Sequence, residues 1–128
     1  MIKVMVVDDH ELVRTGISRI LNDAPGVRVV GEAASGEEAL EVVDQVQPDV
    51  LLMDVSMPGI GGLEATRKLV QYNSELKVIV VSVHSEEPFP SRMLKAGARG
   101  YLTKGCAVDE IVAAIKAVYS GERYIGAD

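Results

Sequence analysis

The chain has 128 residues, of which 48% are hydrophobic and 25% charged, and its formal net charge is −6. This composition is typical of one globular domain with a real core, and the chain is too short for two ordinary domains. The negative charge and the scattered lysines and arginines argue against a nucleic-acid surface here, because phosphate binding needs a basic patch. Apolar runs are too short for a membrane span, and the lone Cys106 excludes an internal disulfide, so we expect a cytoplasmic protein without membrane contact.

Apolar patterning predicts strands that alternate with helices five times. Strands are predicted at 2–7, 27–33, 49–53, 77–83 and 99–103, and residues with helical apolar spacing follow each of them. Ser35 with Glu38 three residues later predicts the start of the second helix. Alternating strands and helices pair in parallel through right-handed crossovers, so we expect a doubly wound α/β fold with a five-stranded sheet and five helices.

Polar side chains stand at the ends of four predicted strands. Asp8 and Asp9 follow the first strand, Asp54 follows the third, Ser82 lies at the end of the fourth, and Lys104 follows the fifth. Because parallel strands bring their carboxyl ends to one edge of a sheet, we expect these residues to converge. Taken singly, each has a simpler explanation: an aspartate before the first helix can be its N-cap, and the others can be turn or surface groups.

Together, the three aspartates predict a cation site. Crowded carboxylates repel one another unless a cation holds them. Oxygen ligands with open positions suit Mg²⁺, and the backbone carbonyl of Ser56, in the glycine-rich loop after Asp54, is a further candidate ligand. Lys104 and Ser82 would then bind the oxygens of a phosphoryl group that Asp54 carries as an aspartyl-phosphate.

The acidic pair, the segment LLMDVSMPGIGG, Ser82 and the segment GYLTK resemble the receiver domains of two-component response regulators over essentially the whole chain. The segments VVDDHELVRTGI and AGARGYLTKG resemble the NarL/FixJ group and, within it, the GacA/UvrY type. The resemblance implies a flavodoxin-like (CheY-like) sheet in the order 2-1-3-4-5 and phosphotransfer from a sensor histidine kinase to Asp54. It also implies that Mg²⁺ is bound by Asp54, directly by Asp9, and by Asp8 through water.

The same resemblance implies a switch and an output. Ser82 would move toward the phosphoryl group and Tyr101 would rotate inward behind it, whereas the residues alone favour ordinary packing for Tyr101. Residues 1–120 would form the receiver, a signalling domain and not an enzyme, and 121–128 would begin a linker to a C-terminal LuxR-type helix-turn-helix domain that binds DNA. Phosphorylation would either relieve inhibition of the output domain or promote a homodimer. The candidate dimer surfaces are the first and last helices, or the last helix with the preceding strand and helix.

Two positions depart from the usual receiver pattern. Gly105 follows Lys104 where many receivers have a proline, and Val83 follows Ser82 where a smaller residue is frequent. They leave open a pseudo-receiver, which has the same fold but acts as a phosphorylation-independent interaction module. A phosphohydrolase is disfavoured because DDHE lacks the usual spacing of nucleophile and acid, and a nucleotide-binding domain because no glycine-rich loop follows the first strand.

Overall fold

A parallel sheet of six strands forms the frame of the molecule in the computed structural model, which describes residues 1–55, 61–82 and 89–126. The strands are β1 (Ile2–Val7), β2 (Val27–Ala33), β3 (Val50–Asp54), β4 (Lys77–Ser82), β5 (Gly100–Thr103) and β6 (Tyr124–Ile125). The helices are α1 (Glu11–Asp23), α2 (Gly36–Val46), α3 (Gly61–Tyr72), α4 (Phe89–Lys95) and α5 (Val108–Tyr119). The order β2-β1-β3-β4-β5-β6 confirms the predicted doubly wound topology.

Helices cover both faces of the sheet, and alternate side chains along the central strands pack into two separate hydrophobic cores. On one face, β1 and β3 residues such as Met5 and Met53 pack with α2, α3 and α4. On the other face, residues such as Val6 and Leu52 pack with α1 and α5. Burial on both faces explains why the central strands are continuous apolar runs in the sequence. None of the helices in the described ranges is long and apolar enough to cross a membrane.

The starts of the first two helices differ. Ser35 caps α2 as predicted, because its side chain accepts a hydrogen bond from the Glu38 backbone N at 3.0 Å. The N-cap residue of α1 is His10, which makes no side-chain capping hydrogen bond. Neither Asp8 nor Asp9 is therefore the N-cap residue of α1; the Asp8 side chain instead accepts a hydrogen bond from the His10 backbone N at 2.8 Å.

The sheet has one short strand more than the five predicted, because β6 extends it beyond β5. Tyr124 N donates to the Arg99 carbonyl at 3.1 Å, and Gly126 N donates to the Tyr101 carbonyl at 2.8 Å. The Tyr124 hydroxyl also donates to Glu110 of α5 at 3.1 Å. A two-residue edge strand has too little apolar periodicity to be visible in the sequence, and it forms here because β5 offers an open edge.

Candidate functional site

The sheet brings several of the polar strand-end residues to one edge. Asp54 is the last residue of β3, Ser82 is the last residue of β4, and Asp8 directly follows β1. Because β3 lies between β1 and β4 and is parallel to both, these three strands end on the same side of the sheet. The backbone N of Asp8 donates a hydrogen bond of 3.1 Å to the Ala33 carbonyl, which connects the end of β1 to the end of β2.

Three carboxylates and one imidazole form a compact cluster at this edge. Asp8, Asp9, His10 and Asp54 each offer one ligand atom, and these atoms lie within 4.8 Å of one another. His10 Nδ1 lies 3.1 Å from Asp8 Oδ1 and 3.1 Å from Asp9 Oδ1. Because Asp8 and Asp54 are buried, water screens their charges poorly, and the cluster favours a bound cation.

Lys104 places a positive charge directly against Asp54. Its Nζ lies 3.0 Å from Asp54 Oδ1, and the Asp54 side chain is only 2% exposed. The backbone N of Lys104 donates to the Ser82 carbonyl at 2.7 Å, which fixes the residue after β5 to the end of β4. An ion pair with one nearly buried partner is stronger than an exposed pair because less water competes for the charges.

The backbone next to Asp54 is held by a hydrogen bond and by a close contact. Val55 N donates to the Val81 carbonyl at 3.3 Å. A Cβ atom added at Gly62 would lie 2.5 Å from Val55 Cα, so only glycine allows the start of α3 to approach this segment. Close packing against Val55 therefore explains why the sequence after Asp54 has a glycine at position 62.

Arg14 is a site residue that the sequence reasoning missed. Its Nη1 donates to the backbone carbonyl of Asp8 at 2.7 Å, and its Nε donates to Glu32 Oε1 at 3.2 Å. The side chain thus joins α1 and β2 to the turn that carries the aspartates. The sequence contained a signal for this role. A positively charged side chain near a helix N-terminus interacts unfavourably with the helix dipole, so its presence there indicates a specific hydrogen-bond acceptor nearby.

The cluster opens onto a cavity of about 410 Å³ between α1, the sheet and the start of α5. The walls are mostly apolar, and the polar contribution comes from residues that include Asp8, His10, Asp54 and Lys104. This volume is within the range of small-molecule pockets, so the cavity has room for a small ligand beside the buried carboxylates. Cys106 also lines the cavity, and its burial, followed by the negative charge of Glu110, raises the pKa of the thiol.

The remaining predicted site residues are either buried or outside the described ranges. Ser82 is 1% exposed and pairs in register with Thr103 of β5. Tyr101 is 2% exposed and belongs to the core on the α3 and α4 face of the sheet. Ser56 and Val83 lie outside the described residues.

The donors at the sheet edge fit a divalent cation. Asp9 Oδ1 is buried and accepts no hydrogen bond from the residues that the structure describes, although His10 Nδ1 lies close to it. A buried carboxylate oxygen without a hydrogen-bond donor is a group that a cation would satisfy. The carboxylates of Asp8 and Asp54 complete a set of hard oxygen donors around it.

Comparisons with known proteins identify the family to which this fold belongs. The model of the response regulator receiver domain family matches residues 4–116. The chain is 58% identical over 125 residues to the response regulator GacA of Pseudomonas aeruginosa, covering 98% of this chain and 58% of that protein. It is 56% identical over 128 residues to the response regulator UvrY of Escherichia coli, covering all of this chain and 59% of that protein.

A solved structure gives the same result. The two-component response regulator of the LuxR family from Aurantimonas sp. SI85-9A1 aligns with a TM-score of 0.92 and 38% identity, over 97% of this chain and 89% of that one. The chain spans less than two thirds of the length of the GacA and UvrY relatives. The extent of these matches shows that this chain belongs to the response regulator receiver domain family.

Proposed function

We propose that this domain accepts a phosphoryl group on Asp54 from a sensor histidine kinase. The observation that carries the proposal is a buried Asp54 carboxylate 3.0 Å from Lys104 Nζ, within a cluster that contains two further aspartates. A carboxylate oxygen of Asp54 forms a bond to phosphorus while the phosphorus–nitrogen bond of the phosphohistidine breaks. The electron pair of that bond returns to the imidazole of the kinase.

Each neighbour of Asp54 has a role in this reaction. The ammonium group of Lys104 balances negative charge on the phosphoryl oxygens. Asp8, Asp9 and Asp54 would hold Mg²⁺, together with the backbone carbonyl of Ser56. When bound, the ion neutralises further charge on the phosphoryl group.

Ser82 and Tyr101 form the proposed switch. Phosphorylation adds about −1.5 to −2 charges and strong acceptor oxygens to Asp54, and the Ser82 hydroxyl donates a hydrogen bond to them. Tyr101 would rotate inward behind Ser82. Its burial in the neighbouring strand and the hydrogen bond from Gly126 N to its carbonyl support this role, because a change in β5 reaches the C-terminal segment directly.

The proposed output lies in the rest of a longer regulator. We infer that a linker that begins within 121–128 joins the receiver to a helix-turn-helix domain, which binds DNA as a transcription regulator in the cytoplasm. Phosphorylation of Asp54 would promote a homodimer. Support comes from the similarity to a LuxR-family regulator and from the longer GacA and UvrY relatives.

The test is intact mass spectrometry after incubation with acetyl phosphate, with and without Mg²⁺. We expect one phosphoryl adduct that requires Mg²⁺ in the native sequence and no adduct in Asp54→Asn. Circular dichroism of both proteins controls for folding. A folded protein that gains no adduct from acetyl phosphate or from a partner kinase would instead be a pseudo-receiver.

A further inference from the structure

The acidic cluster contains one donor that Mg²⁺ chemistry does not need. The imidazole of His10 lies with Nδ1 3.1 Å from a carboxylate oxygen of Asp8 and 3.1 Å from one of Asp9. Its ligand atom belongs to the same group of four, within 4.8 Å, as that of Asp54. His10 is therefore part of the cluster and not merely its sequence neighbour.

Helix capping does not explain the position of this ring. His10 is the N-cap residue of α1, yet its side chain makes no capping hydrogen bond. The side chain is 62% exposed, so burial does not force the imidazole against the carboxylates. Its Nδ1 forms a hydrogen bond of 3.1 Å with Asp8 Oδ1. The ring also lies beside Asp9 Oδ1, the buried oxygen that accepts no hydrogen bond within the described parts of the chain.

The donor set decides which cations the cluster suits. Mg²⁺ takes oxygen ligands and retains water, whereas imidazole nitrogen is a good ligand for first-row transition ions. Three carboxylate oxygens with one imidazole nitrogen form a mixed set, for which Mn²⁺ and the ions after it in the series gain more than Mg²⁺. Imidazole is a neutral ligand, so it adds affinity without adding to the repulsion between carboxylates.

We propose that His10 is a metal ligand of the receiver site and that its nitrogen makes the site prefer divalent first-row transition ions to Mg²⁺. The inference rests on the proposed function only in placing the metal among Asp8, Asp9 and Asp54. It assigns to His10 the selectivity of the site among divalent ions.

Calorimetric titration with Mg²⁺ and with Mn²⁺ at one fixed pH tests the proposal. His10→Phe retains an aromatic ring without nitrogen, and His10→Asn retains a hydrogen-bond donor beside the carboxylates. Leu12→Ala is the matched control, because Leu12 is 87% exposed and its side chain has no donor atom. We expect both His10 variants to lose on the order of tenfold in Mn²⁺ affinity and to keep their Mg²⁺ affinity within roughly twofold, with Leu12→Ala unchanged.

Pulsed electron paramagnetic resonance of the Mn²⁺-loaded protein gives a readout independent of affinity. We expect nitrogen modulation from a bound imidazole in the native sequence and in Leu12→Ala, and its loss in both His10 variants. If His10→Asn binds Mn²⁺ like the native sequence, or if nitrogen modulation is absent, His10 is not a ligand and the proposal is overturned.

The two proposals fail differently in these experiments. Unchanged Mn²⁺ binding in the His10 variants, together with lost binding in Asp9→Asn, would remove the role of His10 and leave the metal site intact. Absence of binding by either ion to the native sequence would remove the metal site, and with it the inference. A phosphoryl adduct on Asp54 is measured separately, so neither result depends on the activity of the domain.

Discussion

Two glycines close in sequence to Asp54 and Lys104 are constrained for different reasons. Gly62 has no room for a Cβ atom because the backbone of Val55 would lie 2.5 Å away. Gly105 has open space around its Cβ position but a φ of +97°, which an L-residue adopts at a cost and proline cannot adopt at all. The backbone after Lys104 therefore follows a path that a proline at position 105 could not adopt.

We expect Gly62→Ala to lower the free energy of unfolding more than Gly105→Ala. Alanine at Gly105 brings only backbone strain, of about 1–2 kcal/mol. Alanine at Gly62 adds a backbone clash, which costs about 2–3 kcal/mol and displaces Val55, the residue after Asp54. Urea denaturation measures the loss of stability in each variant. The rate of phosphorylation by acetyl phosphate measures the effect of displacing Val55. A stable Gly62→Ala protein with a native rate would contradict the close contact.

Arg14 positions the acidic turn through two hydrogen bonds, one to the Asp8 carbonyl and one to Glu32. We expect Arg14→Lys to destabilise the fold by about 1–2 kcal/mol, because one ammonium group cannot replace the two-point guanidinium contact. We also expect the affinity for a divalent metal ion to decrease, because the turn that Arg14 holds in place carries Asp8 and Asp9. Arg19→Lys, an exposed position of the same helix, is the matched control; equal effects at both positions would exclude a positioning role.

At the scale of elements, Glu110 of α5 connects the loop after β5 with β6. Its carboxylate accepts a hydrogen bond from Tyr124 and lies near Cys106. Burial and then the charge of Glu110 raise the pKa of the Cys106 thiol above its usual 9.0. Burial, then the hydrogen bond and charge of Glu110, raise the pKa of Tyr124 in the same direction.

These shifts predict an alkaline limit of stability. Because the folded state favours the protonated thiol and phenol, their contribution to stability is complete below the unfolded pKa values. It is lost as pH rises through the higher folded values. We expect the urea concentration at the midpoint of unfolding to decrease as pH rises above about 9.

The raised pKa of the thiol also predicts that Cys106 reacts with iodoacetamide more slowly in the folded protein than in the unfolded chain. Glu110→Gln should recover part of the reactivity and Glu122→Gln none; equal rates would contradict the role of Glu110.

The strands and helices with strong periodicity could be predicted from the sequence because burial on two faces leaves long apolar runs. The parallel order also predicted that Asp8 and Asp54 would meet. His10 and Arg14 could not be placed in this way, since their contacts depend on side-chain direction and not on periodicity. The short β6 depends on a partner edge that exists only after β5 has joined the sheet.

On the scale of the whole molecule, one continuous sheet separates two cores that contain different helices. α1 and α5 share the face that borders the acidic cluster and the cavity, whereas Tyr101 belongs to the face of α2, α3 and α4. The two faces meet at the edge of the sheet that carries Asp54. Chemistry at Asp54 can therefore act on either helical layer, since β3 contributes alternate side chains to each.

The short strand β6 has a further consequence for how the domain behaves in solution. By pairing with Gly100 and Tyr101, it covers the outer edge of β5, and an uncovered edge strand is a template for pairing with other chains. We expect a chain truncated after Gly121 to self-associate with increasing concentration in analytical ultracentrifugation, whereas a chain that ends at Gly126 stays dispersed. Equal behaviour of the two would mean that the edge of β5 needs no cover. If the expectation holds, two residues at the end of the fold protect the receiver against aggregation.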